Sequence, residues 1–370
     1  MTRIFSVTAI FNTFRKIVRD TFNDIKALDQ AYASIAYVTN ETVEQLWSTY
    51  DEYSSMAEQL GQSTVDVIKA SAIYRQQGLD TAEALELTTD TMKLATIAGN
   101  DYSKATQEMT AALRGFKMEM DEGAHVSDVY SELAAHAAAS VDGIAQAMSR
   151  TASIANSAGM SFENTSAFLT QMIETTQESA ENIGTSMKTI IARFTELKKN
   201  VAGTSESEFE DLSFNKVDDA LRSVGVALKD AHGQFRNLDE VFLELSAKWD
   251  SLDRNTQRYI ATIAAGSRQQ SRFIAMMDNY ERTAELIDIA QDSAGKAEEQ
   301  FSKAADTISF KLNTLKTNWE EFRLSFTSSD FVKGLIDELG VAVNSLKDSN
   351  KIALAAAIPF AIIFVKGFLK

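Results

Sequence analysis

Residues 72–101 read AIYRQQGLDTAEALELTTDTMKLATIAGND, and the spacing within this stretch decides the fold class. Gln77-Gly78-Leu79-Asp80 closes one helix and opens the next. Glycine suits the turn that ends a helix, and Asp80 with Glu83 three residues on has the spacing of a capping box. Leu85, Met92 and Leu94 follow at helical intervals until Gly99-Asn100-Asp101 repeats the device. The spacing predicts helices of about 15 to 20 residues between such joints, ordinary for a bundle.

The same punctuation continues in both directions. Leu60-Gly61-Gln62-Ser63, with Asp66 at capping distance, lies upstream, and Gly159-Met160-Ser161 lies downstream. Ile68, Ala72 and Ile73 supply one apolar face between joints, and Met109, Leu113 and Phe116 supply another. A faint repeat relates Gly78-Leu79-Asp80-Thr81 through Leu113-Arg114-Gly115-Phe116 to Gly159-Met160-Ser161-Phe162 through Ile191-Ala192-Arg193-Phe194. The offset is roughly 80 residues, slightly larger at the glycines than at the phenylalanines, so a small deletion separates the copies. Each copy reads as a helix end followed by a helical pair.

Composition agrees. The 370 residues include one proline, Pro359, where an average chain of this length would hold about 18. With 16 glycines and no cysteine, disulfide scaffolds, Cys-based zinc sites and many-stranded sandwiches are excluded. At 45% hydrophobic residues the chain can build a core. The 36 basic and 52 acidic residues give a net charge of −16, which argues against a nucleic-acid binder with an ordinary basic footprint. The fold class expected is all-α: an elongated multi-helix hairpin or bundle with long helices, at most one short β-hairpin near 222–237, and a C-terminal hydrophobic helix.

Several segments carry their own expectations. Ile4, Val7, Phe11, Phe14, Val18, Phe22, Ile25 and Leu28 form an apolar stripe with basic neighbours Arg3, Arg15, Lys16 and Arg19. It suits packing on the protein or on another copy, or a membrane surface. The start lacks the uninterrupted apolar run and the cleavage site of a secretory signal. Residues 201–215 are a polar joint; Val224, Val226 and Leu228, then Asp230-Ala231-His232-Gly233 and Phe235, read as a short hairpin or a loop. Helix resumes at Leu238, Val241, Phe242, Leu245 and Trp249. From 295 the series Ala297, Phe301, Ala304, Ile308, Leu312, Leu315, Trp319, Phe322, Phe326 predicts one long, nearly straight helix. The uncharged run from Ile352 to Val365 lies between Lys351 and Lys366. Ile352, Leu354, Ile358, Phe360, Ile362, Ile363, Phe364 and Val365 would be its membrane-facing or buried set.

The corresponding domain scheme has a basic amphipathic helix at 1–35 and a helical core in two parts, 36–203 and 204–294. A long amphipathic helix at 295–349 and a hydrophobic, membrane-spanning or buried, segment at 350–370 complete it. Catalytic, cofactor and metal residues are expected to be none. No phosphate loop, dinucleotide loop, nucleophile elbow or zincin motif occurs; of His125, His136 and His232 the first two are 11 apart, on nearly one face of a continuous helix, but Gly143 and the Ala-rich run around His136 offer no carboxylate ligand set.

The order of motifs resembles the core region of phage tail tape measure proteins. The resemblance rests on Ala57-Glu58-Gln59-Leu60-Gly61, Ala72 through Leu79, Glu83-Ala84, Leu94-Ala95-Thr96-Ile97-Ala98-Gly99, Met109 through Phe116 and Ala155 through Ser161. It continues through Val224-Gly225-Val226, Asp230, Gly233, Trp249, Ile263-Ala264-Ala265-Gly266-Ser267-Arg268-Gln269-Gln270 and Asp278-Asn279-Tyr280, covering roughly residues 30–290. It implies a structural protein that lies in several copies in a tail tube, templates its length and is expelled to help DNA cross the host envelope. Implied partners are further copies of itself, tail tube and tail-tip or baseplate proteins, tail assembly chaperones and the host membrane, with DNA only as passing cargo. The implied location is the virion tail lumen or the host cytoplasm during assembly, then the membrane after ejection. A fully helical rod of 370 residues would be about 550 Å long. Folded hairpins shorten that, so the chain reads as the N-terminal part of a tape measure or a truncated prophage copy. Two other classes fit the helices and the acidity: a membrane-active pore-former, and a cytosolic coiled-coil scaffold.

Overall fold

The structure is a computed structural model that describes residues 7–195 and 212–325. Every regular element in them is helical. The helices are α1 (Val7–Ala36), α2 (Val43–Leu46), α3 (Tyr50–Leu60), α4 (Thr64–Gln76), α5 (Thr81–Ala98), α6 (Tyr102–Phe116), α7 (Gly123–His136) and α8 (Val141–Ser157). They continue as α9 (Phe162–Thr176), α10 (Ala180–Thr195), α11 (Leu212–Ser223), α12 (Leu238–Trp249), α13 (Arg254–Met277), α14 (Tyr280–Gln291), α15 (Lys296–Ala305) and α16 (Ile308–Ser325).

The joints behave as their residues predict. Ser63, Asp80, Asp101, Ser140 and Ser161 start α4, α5, α6, α8 and α9, each accepting a hydrogen bond from the backbone N–H three residues on. Each such cap is worth about 1 kcal/mol. Asp80 and Glu83 form the complete capping box. Gly61 and Gly99 close α3 and α5 in the left-handed conformation.

Residues Leu28–Thr314 form one compact unit. From α3 to α10 each helix packs on the next and on the next but one, giving two rows: α3, α5, α7, α9 and α4, α6, α8, α10. The second row starts at Thr64, Tyr102, Val141 and Ala180, an almost constant step of roughly 39 residues that falls in the usual range for stacked repeats. The repeat is therefore a single helical hairpin, and the offset visible in the sequence spans two of them. Close approach within this row depends on glycine. A Cβ on Gly115 would collide with Ala152, and one on Gly184 would collide with the backbone at Ala147. The two contacts are not copies of each other: the glycine lies near the end of α6 in the first and near the start of α10 in the second, and α8 supplies the alanine in both.

After α11 and α12 the chain retraces the array. Helix α13 packs on α10 and α9, α14 on α9 and α7, and α15 on α7 and α5. Aromatic side chains pack where this layer meets the rows. Phe242 meets Phe194 and Phe168 edge-on at 5.1 and 5.8 Å, and Trp249 meets Phe273 at 5.9 Å. Leu238, Val241, Phe242, Leu245 and Trp249 are all buried.

One passage resolves between its alternatives and one expectation needs adjustment. The 222–237 passage is a tight turn with one isolated antiparallel bridge, Lys229 to Phe235, and no strand. The Asp230 carboxylate accepts from the backbone N–H groups of His232 and Gln234, both at 2.9 Å, which closes the turn, and the ends of α11 at Ser223 and α12 at Leu238 leave little extended chain to pair. The long helix from 295 is instead two helices, broken at Asp306-Thr307. There Thr307 Oγ1 accepts from Phe310 N at 3.3 Å and starts a new helix, so an apolar periodicity runs on across a capped break. Residues 352–369, the core of the polar joint at 201–215 and the beginning of the basic N-terminal stripe lie outside the described residues. Among the described residues no helix is long and apolar enough to cross a membrane.

Residues Met1–Ala27 and Leu315–Lys370 form the other unit. In it Arg323 and Asp24 pair at 2.8 Å, with the Arg323 side chain 10% exposed. Burial raises the Asp24 carboxyl and the guanidinium opposes that shift.

Candidate interaction surface

Helix α13 begins with Asp253, whose carboxylate accepts from Asn255 N and Thr256 N at 2.9 and 3.2 Å. It breaks at Gly266, where φ is +70° and ψ 168°, a conformation open essentially to glycine alone. Arg193, in the last turn of α10, occupies the space where a Gly266 side chain would stand and donates to the Ile263 carbonyl at 3.3 Å. Past the break, Gln270 Nε2 donates to the Arg258 carbonyl at 3.3 Å. Twelve residues of straight helix would separate these groups by about 18 Å, so α13 is a sharp elbow. Ser186 Oγ to Gln269 Oε1 at 2.7 Å and Arg272 Nε to Glu178 Oε2 at 2.9 Å bind the second arm to α10 and the loop before it. The segment Ile263–Gln270, singled out by its order in the sequence, is thus the hinge of this elbow.

The outer side of the elbow carries Arg254, Arg258 and Arg268, all exposed, and Tyr259, 54% exposed. Among the described residues none of the three arginines has an ion-pair partner. The 24 residues of α13 contain four arginines and no acid, in a chain of net charge −16.

Two buried carboxylates act as remote caps. Asp128 on α7 accepts from Gly295 N at 2.8 Å and Ala297 N at 2.7 Å, holding the start of α15. Asp239 on α12 accepts from Ser161 N at 3.1 Å and Asn164 Nδ2 at 2.8 Å, closing the start of α9. Between α6 and α8, Asn100 Nδ2 donates to Asp142 Oδ1 at 2.6 Å while Lys104 pairs with the same carboxylate. Glu108 lies beside them, 3.8 Å from Lys104, and burial pushes its carboxyl up to about 7. His125 and His136 share α7 but serve apart. His125 Nε2 meets Glu163 Oε1 at 2.8 Å, and that carboxylate raises its pKa; His136 Nδ1 lies 3.0 Å from the Glu132 carbonyl. Among the described residues no group of three His, Cys, Asp or Glu could hold a metal ion.

The 297–326 stripe divides at the break. Ala297 and Phe301 are buried, whereas Ile308, Leu312, Leu315, Trp319 and Phe322 are exposed by 44 to 78%. Phe310, off this stripe, lies against Gly61 and meets Phe301 at 5.7 Å. Nearby, α3, α5 and α15 border an open groove of about 620 Å³ lined by Asp51, Glu52, Met56, Lys93, Glu298 and Phe301. The membrane candidates Ile352, Leu354, Ile358, Phe360, Ile362, Ile363, Phe364 and Val365 lie outside the described residues. Sequence reasoning missed the basic elbow, although its signal was there: four arginines and no acid between Arg254 and Met277.

The geometry of the described residues defines a class: a helical protein built by stacking one hairpin and covering the stack with a returning layer. The family model described as phage-related minor tail protein matches residues 52–266, more than half of the chain, and the chain belongs to that family. It is 23% identical over 240 residues to the tape measure protein of Pneumococcus phage Dp-1, an alignment covering 64% of this chain and 19% of that protein. It is 25% identical over 279 residues to the probable tape measure protein of Escherichia phage P2, covering 68% and 32% respectively. The chain thus spans less than a third of either relative's length. No solved structure matches it.

Proposed function

We propose that the chain is the helical core of a tail tape measure protein and acts as a structural element rather than a catalyst. It lies in several copies in the tail tube, templates the length of that tube, and leaves at infection to help DNA cross the host envelope. The observation that carries this reading is the family match over residues 52–266, together with two relatives bearing the tape measure name. The partners follow from the role: other copies, tube and tail-tip or baseplate proteins, assembly chaperones, and the host membrane after ejection. In-frame removal of residues 102–140, one hairpin, tests the ruler. If helix sets the length at 1.5 Å per residue, tails in electron micrographs shorten by about 60 Å; an unchanged length overturns the templating role.

The membrane part of the proposal rests on the uncharged run from Ile352 to Val365 between two lysines. Each Leu, Ile, Phe or Val in such a run favours insertion by about 0.3 to 0.6 kcal/mol. Removing residues 351–370 is expected to abolish liposome association and leave helicity intact. Equal lipid binding by the shortened chain would move the membrane role elsewhere.

A further inference from the structure

We propose that two copies of this chain bind head to tail, the basic elbow of α13 in one copy seating in the acidic groove bordered by α3, α5 and α15 in the next. The elbow holds Arg254, Arg258 and Arg268 exposed beside Tyr259, with no ion-pair partner among the described residues. The bond from Gln270 to the Arg258 carbonyl folds the Arg268 arm back on the turn that carries Arg258. Like charges are therefore brought together, and the acids beside them in the chain, Asp250 and the helix cap Asp253, make no ion pair with them among the described residues.

The groove is its complement in sign. Asp51 and Glu52 line it, and its one basic residue, Lys93, is already paired with Glu298 at 2.6 Å. Residues 41–60 contain Glu44, Asp51, Glu52 and Glu58, besides Glu41, which pairs with Arg75 at 2.6 Å, and no base. Met56, Leu60 and Phe301 give the groove apolar wall for the ring of Tyr259. The two surfaces cannot meet within one molecule. The groove borders α3 and α5, the elbow packs on α9 and α10, and three steps along the row α3, α5, α7, α9 separate them by about 30 Å. A chain with 16 surplus negative charges is also a poor match for nucleic acid, which leaves an acidic protein surface as the partner. Each copy presents both halves of the contact, so the association is heterologous and open-ended. It goes beyond the tail reading and does not depend on it.

Sedimentation velocity on the purified full chain tests the contact. At low salt the average size is expected to grow with concentration without a limiting oligomer, and high salt should reverse this because exposed charges are screened. Arg254→Glu with Arg258→Glu and Arg268→Glu should weaken association at least tenfold, as should Asp51→Lys with Glu52→Lys. Mixing the two variants restores it, since the reversed elbow fits the reversed groove and the native pair remains. The neutral set Arg254→Gln, Arg258→Gln and Arg268→Gln, checked by circular dichroism, gives the same loss if charge reversal disturbs folding. A chain that stays monomeric at low salt, variants that associate like the native chain, or a mixture that fails to recover each overturn the proposal. So does an elbow reversal that leaves self-association intact but removes binding to a single-stranded oligonucleotide.

Discussion

At the scale of residues, the joints depend on groups that arrive from far away in the chain. Gly266 combines a glycine-only backbone conformation with an arginine seated where its side chain would be. Gly266→Ala is expected to cost about 2 to 4 kcal/mol in urea unfolding, from backbone strain and from displacement of Arg193. Gly78→Ala, where φ is +95° but no atom lies within 4 Å, should cost only about 1 to 2 kcal/mol. Equal losses would show that the Arg193 seat contributes nothing. Glu108 makes a prediction about pH. Its carboxyl is raised in the fold to about 7 from an ordinary 4.5, chiefly by burial. Between those values the folded state keeps a proton that the unfolded chain has released, so stability falls as pH rises, by about 3 kcal/mol at full effect. Glu108→Gln should raise stability above pH 7 and remove most of that slope. A smaller slope remains from Asp90, raised by burial to about 6. Denaturation midpoints that fall just as steeply in the variant would refute the assignment.

At the scale of elements, what the sequence makes legible is what is local. Ser63, Asp80, Asp101 and Ser161 announce helix starts because a cap needs only residues three apart. The break at Thr307 is hidden because Phe301, Ala304, Ile308 and Leu312 keep helical spacing across it. The elbow is hidden because Ile263-Ala264-Ala265-Gly266 is periodic up to a glycine, and groups far off in the chain, Arg193, Ser186 and Glu178, help hold the bend. The remote caps escape for the same reason. Asp128 is 167 and 169 residues from the two amides it binds, so no window of sequence displays the pairing. Asp128→Ala should therefore act on one element. Losing two hydrogen bonds to a charged acceptor costs about 2 to 4 kcal/mol, and hydrogen exchange should accelerate across 296–305 while α6, α8 and α10 keep their protection. Loss of protection spread evenly over the unit would mean that α15 does not open separately.

At the scale of the whole molecule, the repeat seen in the sequence has twice the true period. Helix joints at Gly78 and Gly159 match because they lie two hairpins apart, while the intervening hairpin starts a turn differently, at the short 3-10 segment Met120–Glu122. The deciding contacts, Gly115 on Ala152 and Gly184 on Ala147, appear only once the rows are stacked. The returning layer has a mechanical consequence. Because α15 comes back to α5 and α3 also rests on α5, an early and a late helix of the Leu28–Thr314 unit lie against the same helix. Tension applied through α3 and α15 enters at one edge and opens the rows as a zip opens, tooth by tooth, rather than shearing all of them at once. The force needed is that of a single hairpin at a time, and the chain unreels one hairpin after another, a spool built to run from a fixed end.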